Sequence, residues 1–517
     1  MNSSKELKIG SILSYLQIAL GIVIGIAYTP FMLRTLGQSE YGLYNTVSST
    51  IAILSLLSLG FNASYIRYYA KYKKENDNES IYKLNGLFII MFSVIGVVAL
   101  ACGLFLSFNL KYVFADGLTA EEYKTAKILM IILTFNLAWT FPASVFASII
   151  SAHEKFVFLK ILGIGKTVLG PLVHIPVLLA GYGSIGMVVV TVTITLIIDV
   201  VYLLFVLKKL KQKFIFRNFE KGIFRSLLIF TSFIAINMIV EQINSNMGKF
   251  LLGRYRGTQT VAIFSIGYTL YSHFATFSTA ISGVFTPRVH TIINNTKDDL
   301  AKQKSQLTQL FTKVGRVQFL ILGLVCSGFV FFGQTFIKFW VGDGYDESYY
   351  IGLLLILPAM IPLIQNVGIE IQRAQNKHKF RSLVYLGMAI INLVSSIFLC
   401  QRYGAIGPAI GTGISLILAN GIAINIYYHK SCNINVVYFW GQILKMTLGL
   451  IVPIALGILI IKYVALTSIW KMFLWIVIYS AVYCVSVWLL SMNKQEKGII
   501  KKFLARRKKV AKSTEQE

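Results

Sequence analysis

The amino-acid sequence predicts an all-α integral membrane protein. About fourteen transmembrane helices are expected, arranged as two parallel six-helix repeats plus two C-terminal helices, with N and C termini cytoplasmic. Three observations lead there: long runs without charge, charge that alternates from one connection to the next, and loop motifs that recur in two halves of the chain.

The runs come first. Of 517 residues, 56% are hydrophobic and 14% charged, and mean hydropathy is +0.68. Soluble domains are about 45–50% apolar and about 25% charged. Here the excess sits in unbroken stretches of about 18 residues or more, the length that crosses hydrocarbon as a helix. Nine prolines and few short alternating segments argue against a β-barrel. The predicted spans are 11–33, 41–63, 84–108, 126–149, 161–180, 185–207, 227–247, 261–284, 317–336, 351–367, 383–399, 406–426, 443–461 and 469–490. The first is too long for a signal-peptide core, and Arg34 and Thr35 follow it where a small-residue cleavage site would stand, so it is read as a retained span. Five cysteines without C-x-x-C spacing predict neither a metal nor a disulfide.

Net charge is +28, which in a soluble protein suggests nucleic acid. The positions of the charges say otherwise. Lys and Arg gather in 67–83, 208–225, 288–316, 373–381 and 494–512, while the intervening loops are short and poor in them. Roughly 37 of the 49 fall on one side and roughly 11 on the other, and the rich side is cytoplasmic by the positive-inside rule. The tail residues Arg506, Arg507, Lys508 and Lys509 read as a topology anchor on anionic headgroups.

The repeat is carried by three loop pairs about 220 residues apart. Gly37 to Asn45 matches Gly257 to Ser265, each a glycine and three polar residues followed by bulky, small, aliphatic and aromatic positions. Tyr182-Gly183-Ser184-Ile185-Gly186 matches Tyr403-Gly404-Ala405-Ile406-Gly407, and Ala152-His153-Glu154-Lys155 matches Ala374-Gln375-Asn376-Lys377. The predicted organisation is a six-helix lobe over 1–216, a second over 217–432, two additional helices over 433–493, and a basic cytoplasmic tail over 494–517.

Polar residues inside spans cost about 2.5–3.5 kcal/mol per charge at the bilayer centre, so they face a cavity or a partner. Asn237, Glu241 and Asn244 recur at helical spacing in span seven, with Gln242 and Asn246 beside them. Such a face suits a wet cavity, or hydrogen bonds between helices. Glu241, Asp199 and Glu370 are the candidates for coupling to H+ or Na+, Glu241 first; Glu370 also stands three residues from Arg373 as a local ion pair, and Lys166 is a possible partner for Asp199. His174 and His273 read as packed hydrogen-bonding residues before proton relays. Arg34, Arg67, Lys249, Arg254, Arg256 and Arg288 lie at span ends. They are candidates for an anionic headgroup, guanidinium being a planar phosphate fork, or anchors that snorkel to the interface. No Walker A, H-E-x-x-H or G-x-S-x-G sequence occurs. The longest external loop, 109–125 with Asp116, Glu121 and Glu122, leaves little room for an extracytoplasmic catalytic site, so an enzyme is not expected.

The stretch Pro30-Phe31-Met32-Leu33-Arg34-Thr35-Leu36-Gly37-Gln38-Ser39-Glu40-Tyr41-Gly42-Leu43-Tyr44, with Leu59-Gly60 through Arg67 to Ala70 and the paired loops, resembles the polysaccharide (O-antigen type, Wzx-like) flippases of the multidrug/oligosaccharidyl-lipid/polysaccharide exporter superfamily. The six-plus-six-plus-two plan extends the resemblance over essentially the whole chain. It implies a flippase of the bacterial cytoplasmic membrane that moves undecaprenyl-diphosphate-linked oligosaccharide to the outer leaflet by alternating access. Arg34, Arg67, Asn237, Asn244, Lys249, Arg254, Arg256 and Arg288 would then line the diphosphate and sugar path. The implied partners are the lipid-linked oligosaccharide, membrane lipids and polysaccharide polymerase or assembly proteins, with no nucleic acid and no cofactor beyond a coupling ion. The chain departs from the lipid II flippase branch, expected to carry arginines within span one, where Gln17, Tyr28 and Thr29 stand. The alternatives are an ion-coupled drug or metabolite exporter of the same superfamily, and, from another class, a membrane enzyme of polysaccharide assembly.

Overall fold

In hydrocarbon a backbone has no water to bond, so the apolar runs must close their hydrogen bonds internally. In the computed structural model, which describes residues 3–115, 117–219, 222–296, 298–494 and 496–498, every one of those runs lies in helical segments. No strand occurs among the described residues. Asp116 and the basic run 506–509 lie outside them.

Ten helices among the described residues are long and apolar enough to cross a membrane. Lys8–Lys74 has 67 residues and Lys379–Lys430 has 52. At about 1.5 Å per residue each is more than twice a hydrocarbon thickness of about 30 Å, and each contains two of the predicted runs. The first turns at Gly37, whose φ of 77° only glycine adopts freely. It breaks again at Leu59 and Gly60, both left-handed, before restarting as Phe61–Lys74. Caps start other helices where short polar residues precede an apolar run. Asp77 accepts from Ser80 N at 2.9 Å, and Thr119 with Glu122 forms a reciprocal capping box.

The basic stretch 288–316 reads in sequence as a connection, but the structure makes it helical: Thr286–Asn295, then Leu300–Val341. The reason is a 3.6-residue pattern too sparse to register as an apolar run. Leu307, Phe311 and Val314 are buried at helical spacing, while Lys302, Lys304 and Lys313 face out.

The three repeated loops share backbone geometry. Gly37 and Gly257 have φ of 77° and 86°, Gly183 and Gly404 have 56° and 57°, and Glu154 and Asn376 have 59° and 55°. At the last pair the hydrogen bonds match too. Lys155 N donates to Ile150 O at 3.2 Å, and Lys377 N donates to Gln372 O at 2.8 Å. Both are helix C-terminal motifs that need one left-handed residue, so the shared sequence pattern records a shared backbone requirement.

By packing, the chain forms two compact units. Unit 1 holds residues 1–273, 350–355 and 379–419, and unit 2 holds 274–349, 356–378 and 420–517. In unit 1 the cores centre on Tyr65, Phe88, Phe92 and Val145, and on Leu43, Val47, Leu129 and Met130. In unit 2 one core is Phe332, Ile460, Met472 and Tyr479. Large apolar side chains such as Val97, Ile197, Phe398 and Leu459 face outward, as lipid contact requires.

Candidate functional site

The stretch that predicts the site is a single helical rod: Ile223–Gln242, a π-helical turn over Ile243–Met247, and Gly248–Tyr255. A π turn resets the register by one residue, a device concentrated at functional positions. Asn237 Nδ2 donates to Ser382 Oγ at 3.2 Å, and Asn244 Oδ1 accepts from Asn392 Nδ2 at 2.9 Å. Both asparagines thus reach the helix His378–Tyr403. Asn392 Nδ2 also lies 3.2 Å from Thr412 Oγ1, and Asn392 Oδ1 accepts from Ser396 Oγ at 3.1 Å. Asn244, Asn392, Ser396 and Thr412 line a void of about 10 Å³, room for one small guest at most.

Gln242 Nε2 donates to Ser55 Oγ at 3.2 Å and Gln242 Oε1 accepts from Asn246 Nδ2 at 2.6 Å. One turn on, Lys249 Nζ is 3.5 Å from Asn45 Oδ1 and 5.2 Å from the centre of the Tyr268 ring. Glu241 is exposed, with no ion pair among the described residues. The rod therefore presents amides, one ammonium and one carboxylate along otherwise apolar helices of unit 1.

The remaining candidates separate. Arg254 Nη1 donates to Tyr112 O (2.7 Å) and Val113 O (2.6 Å). Arg256 Nε donates to Cys400 O (3.1 Å), and its Nη2 to Gln401 O. Both guanidiniums are clamped on carbonyls at helix C-terminal ends, where a cation is favoured. Arg34 and Arg67 are exposed in unit 1. Arg67 stands on the outer face of Phe61–Lys74, whose inner face is held by Tyr65 to Asn85 (2.7 Å) and Tyr69 to His153 (3.0 Å). Arg288 is exposed in unit 2, on a separate cavity. Asp199 is 9% exposed; its Oδ2 has no hydrogen bond, and no ion pair within 4.0 Å joins it to Lys166. Glu370 is bound to Arg373 at 2.8 Å. His174 Nε2 is 3.0 Å from Thr191 Oγ1, and a Cβ at Gly25 would stand 3.2 Å from His273 Nε2.

Asn45, Ser55, Ser382, Asn392 and Thr412 were not singled out from sequence. The bonds that join Asn45, Ser55, Ser382 and Asn392 to the rod link residues at least 145 positions apart, and Thr412 joins it through Asn392. The motif of residues 37–44 has a packing role in the structure. Glu40 Oε1 accepts from Ser184 N at 2.6 Å, Tyr41 is buried, and a Cβ at Gly42 would collide with the Thr258 carbonyl.

A model of the family described as polysaccharide biosynthesis protein matches residues 9–292, more than half of the chain. The chain belongs to that family. The matched region contains Arg34, Arg67, the whole polar rod and Arg288. A curated relative, "Putative O-antigen transporter" of Shigella flexneri, is 20% identical over 431 residues, spanning 80% of this chain and 96% of the relative. Among solved structures, lipid II flippase MurJ in an inward closed conformation superposes with a TM-score of 0.69 at 16% identity, covering 93% of this chain and 97% of that one. An inward-facing multidrug resistance MATE family transporter of the MOP superfamily gives 0.59 at 12% identity, covering 83% and 100%. At such identities the likeness establishes the fold alone. This member of the polysaccharide biosynthesis family is a multi-span protein of the bacterial cytoplasmic membrane.

Proposed function

We propose that the protein flips an undecaprenyl-diphosphate-linked oligosaccharide from the inner to the outer leaflet by alternating access, with the six-helix lobes 1–216 and 217–432 as the moving parts. The observation that carries the reading is the family match over 9–292, the region that also contains the polar rod. A hydrated sugar head cannot enter hydrocarbon unsupported. Asn237, Gln242, Asn244 and Asn246 offer donors and acceptors for hydroxyls, and Lys249, next to the Tyr268 ring, offers a cation for diphosphate and an aromatic face for a sugar. The isoprenoid tail stays in lipid.

Coupling to an ion gradient is part of the proposal. Glu370 is already neutralised by Arg373. Asp199, buried with an unbonded oxygen, and the exposed Glu241 are the acids free to exchange a proton or bind Na+. The assay is reconstitution in liposomes with a fluorescent undecaprenyl-diphosphate oligosaccharide and a membrane-impermeant quencher. A protein-dependent rise in the quenchable fraction, smaller in Lys249→Gln, is the expected result. No translocation over a panel of glycans, together with efflux of a small cationic dye, would replace the reading with that of a drug exporter. Transport that responds to neither a pH nor a Na+ gradient would remove the coupling role of Asp199 and Glu241.

A further inference from the structure

Unit 2 contains a cavity of about 760 Å³, lined from Thr286–Asn295, Leu300–Val341 and Val436–Thr447 and by residues 493, 494 and 496. This is the size of a small-ligand site. Four cations line it, Arg288, Lys313, Arg316 and Lys494, against one carboxylate, Glu496.

That carboxylate has no charge left to give. Arg316 Nε donates to Glu496 Oε1 at 2.6 Å and Arg316 Nη2 donates to Oε2 at 2.8 Å, a bidentate pair in which both side chains are buried. The same guanidinium donates to Gln442 O and Ser491 O, so four of its five N–H donors are engaged. Arg288, Lys313 and Lys494 remain exposed on the wall, and none has an ion-pair partner among the described residues. Side-chain amides of Gln306 and Gln309 complete the polar wall. Converging unpaired cations repel one another and attract an anion.

We propose that this cavity binds a phosphate-bearing headgroup, held by Arg288, Lys313 and Lys494, with the Arg316–Glu496 pair as its fixed floor. Phosphate fits because it accepts several charge-assisted bonds at once, and the glutamine amides suit the hydroxyls or ester oxygens such a group carries. Its source is either an anionic phospholipid or a soluble phosphorylated compound. The segments that form the wall are those whose Lys and Arg content assigns them to the cytoplasmic side, where both are present. The proposal is independent of which glycolipid the protein carries, since it concerns binding and not transport.

The test uses full-length protein in neutral detergent. Binding of dioctanoyl-phosphatidylglycerol, dioctanoyl-phosphatidylcholine and inorganic pyrophosphate is measured at low ionic strength. Parent protein is compared with Arg288→Gln/Lys313→Gln and with Lys71→Gln/Lys74→Gln, which removes the same charge from unit 1. Expected is binding of phosphatidylglycerol or pyrophosphate but not of phosphatidylcholine, weakened about tenfold or more in the cavity variant and unchanged in the control. Phosphatidylglycerol alone identifies a lipid headgroup; pyrophosphate identifies a soluble phosphate source. No binding of either, equal binding by parent and cavity variant, or equal losses in both variants overturns the proposal. Arg288 and Lys313 are exposed, so the variant is expected to fold. Should it not purify as a single species, Lys494→Gln tests the same wall.

Discussion

Two sets of basic residues, one in each unit, do different work. In unit 1, Arg254 and Arg256 spend their donors on the carbonyls of Tyr112, Val113, Cys400 and Gln401. In unit 2, Arg316 is consumed by Glu496, yet Arg288, Lys313 and Lys494 stand beside it uncommitted. Residue type at a span end therefore does not separate a clamp from a ligand site. What separates them is whether carbonyls or carboxylates already fill the donors.

The comparison breaks most readily at the buried pair. Arg316→Met or Glu496→Gln leaves the other partner buried with donors or charge unmatched, and a loss of about 3–5 kcal/mol is expected. Arg316→Met/Glu496→Met should recover much of it, because two apolar side chains need no partner. Thermal denaturation in detergent reads this; a double variant no better than either single would mean that the bonds to Gln442 and Ser491 hold the region instead. Arg256→Gln in unit 1 removes charge-assisted bonds to two helix-end carbonyls, with an expected cost of about 1.5–3 kcal/mol and no effect on anion binding. Anion binding that falls with Arg256 would erase the distinction between the two neighbourhoods.

The amide cluster is expected to contribute less than either. Asn392→Ala leaves Asn244, Ser396 and Thr412 without a common partner. Interhelical amide bonds in lipid are worth about 0.6–1.7 kcal/mol, so a modest fall in melting temperature is expected, together with a fall in flipping. Loss of flipping at unchanged melting temperature would place Asn392 in the transport path itself.

How far the sequence reaches follows from the same residues. The spans were legible because the lipid constraint acts on each run locally. The repeat was legible because Gly37, Gly257, Gly183 and Gly404 answer a backbone demand that few residues meet. Partners were not legible. Arg316 and Glu496 are 180 positions apart, and Asn244 and Asn392 are 148; nothing in either stretch names the other. Spacing puts Asn237, Glu241 and Asn244 on one helical face, while the structure joins Asn237 and Asn244 to the helix His378–Tyr403, and the π turn just beyond Gln242 has no apolar signature. Helix at 300–316 was hidden by lysines that only its outer face carries.

The smallest expected effect concerns His153, at the repeated helix end of unit 1. Its Nδ1 donates to Ile149 O at 2.8 Å, which leaves Nε2 to accept from the Tyr69 hydroxyl at 3.0 Å. That arrangement requires the neutral ring. Burial pushes the imidazole pKa below its ordinary 6.5, and the charges of Lys73 and Lys155 push the same way, opposed by the Ile149 carbonyl. The unfolded chain then binds the proton more readily than the folded one. The contribution is complete above a pH of about 6.5, declines as pH falls from there toward the depressed folded value, and changes no further below it. His153→Gln, whose side-chain amide does not titrate in this range, should lose that portion of the acid sensitivity of the melting temperature while keeping a hydrogen-bonding group near Tyr69. The repeat partner of His153 is Gln375, which already follows this rule in the native sequence. If parent and variant show the same decline in melting temperature from neutral pH to about pH 5, the acid sensitivity belongs to carboxylates, and the Tyr69–His153 contact is a packing bond without a titrating role.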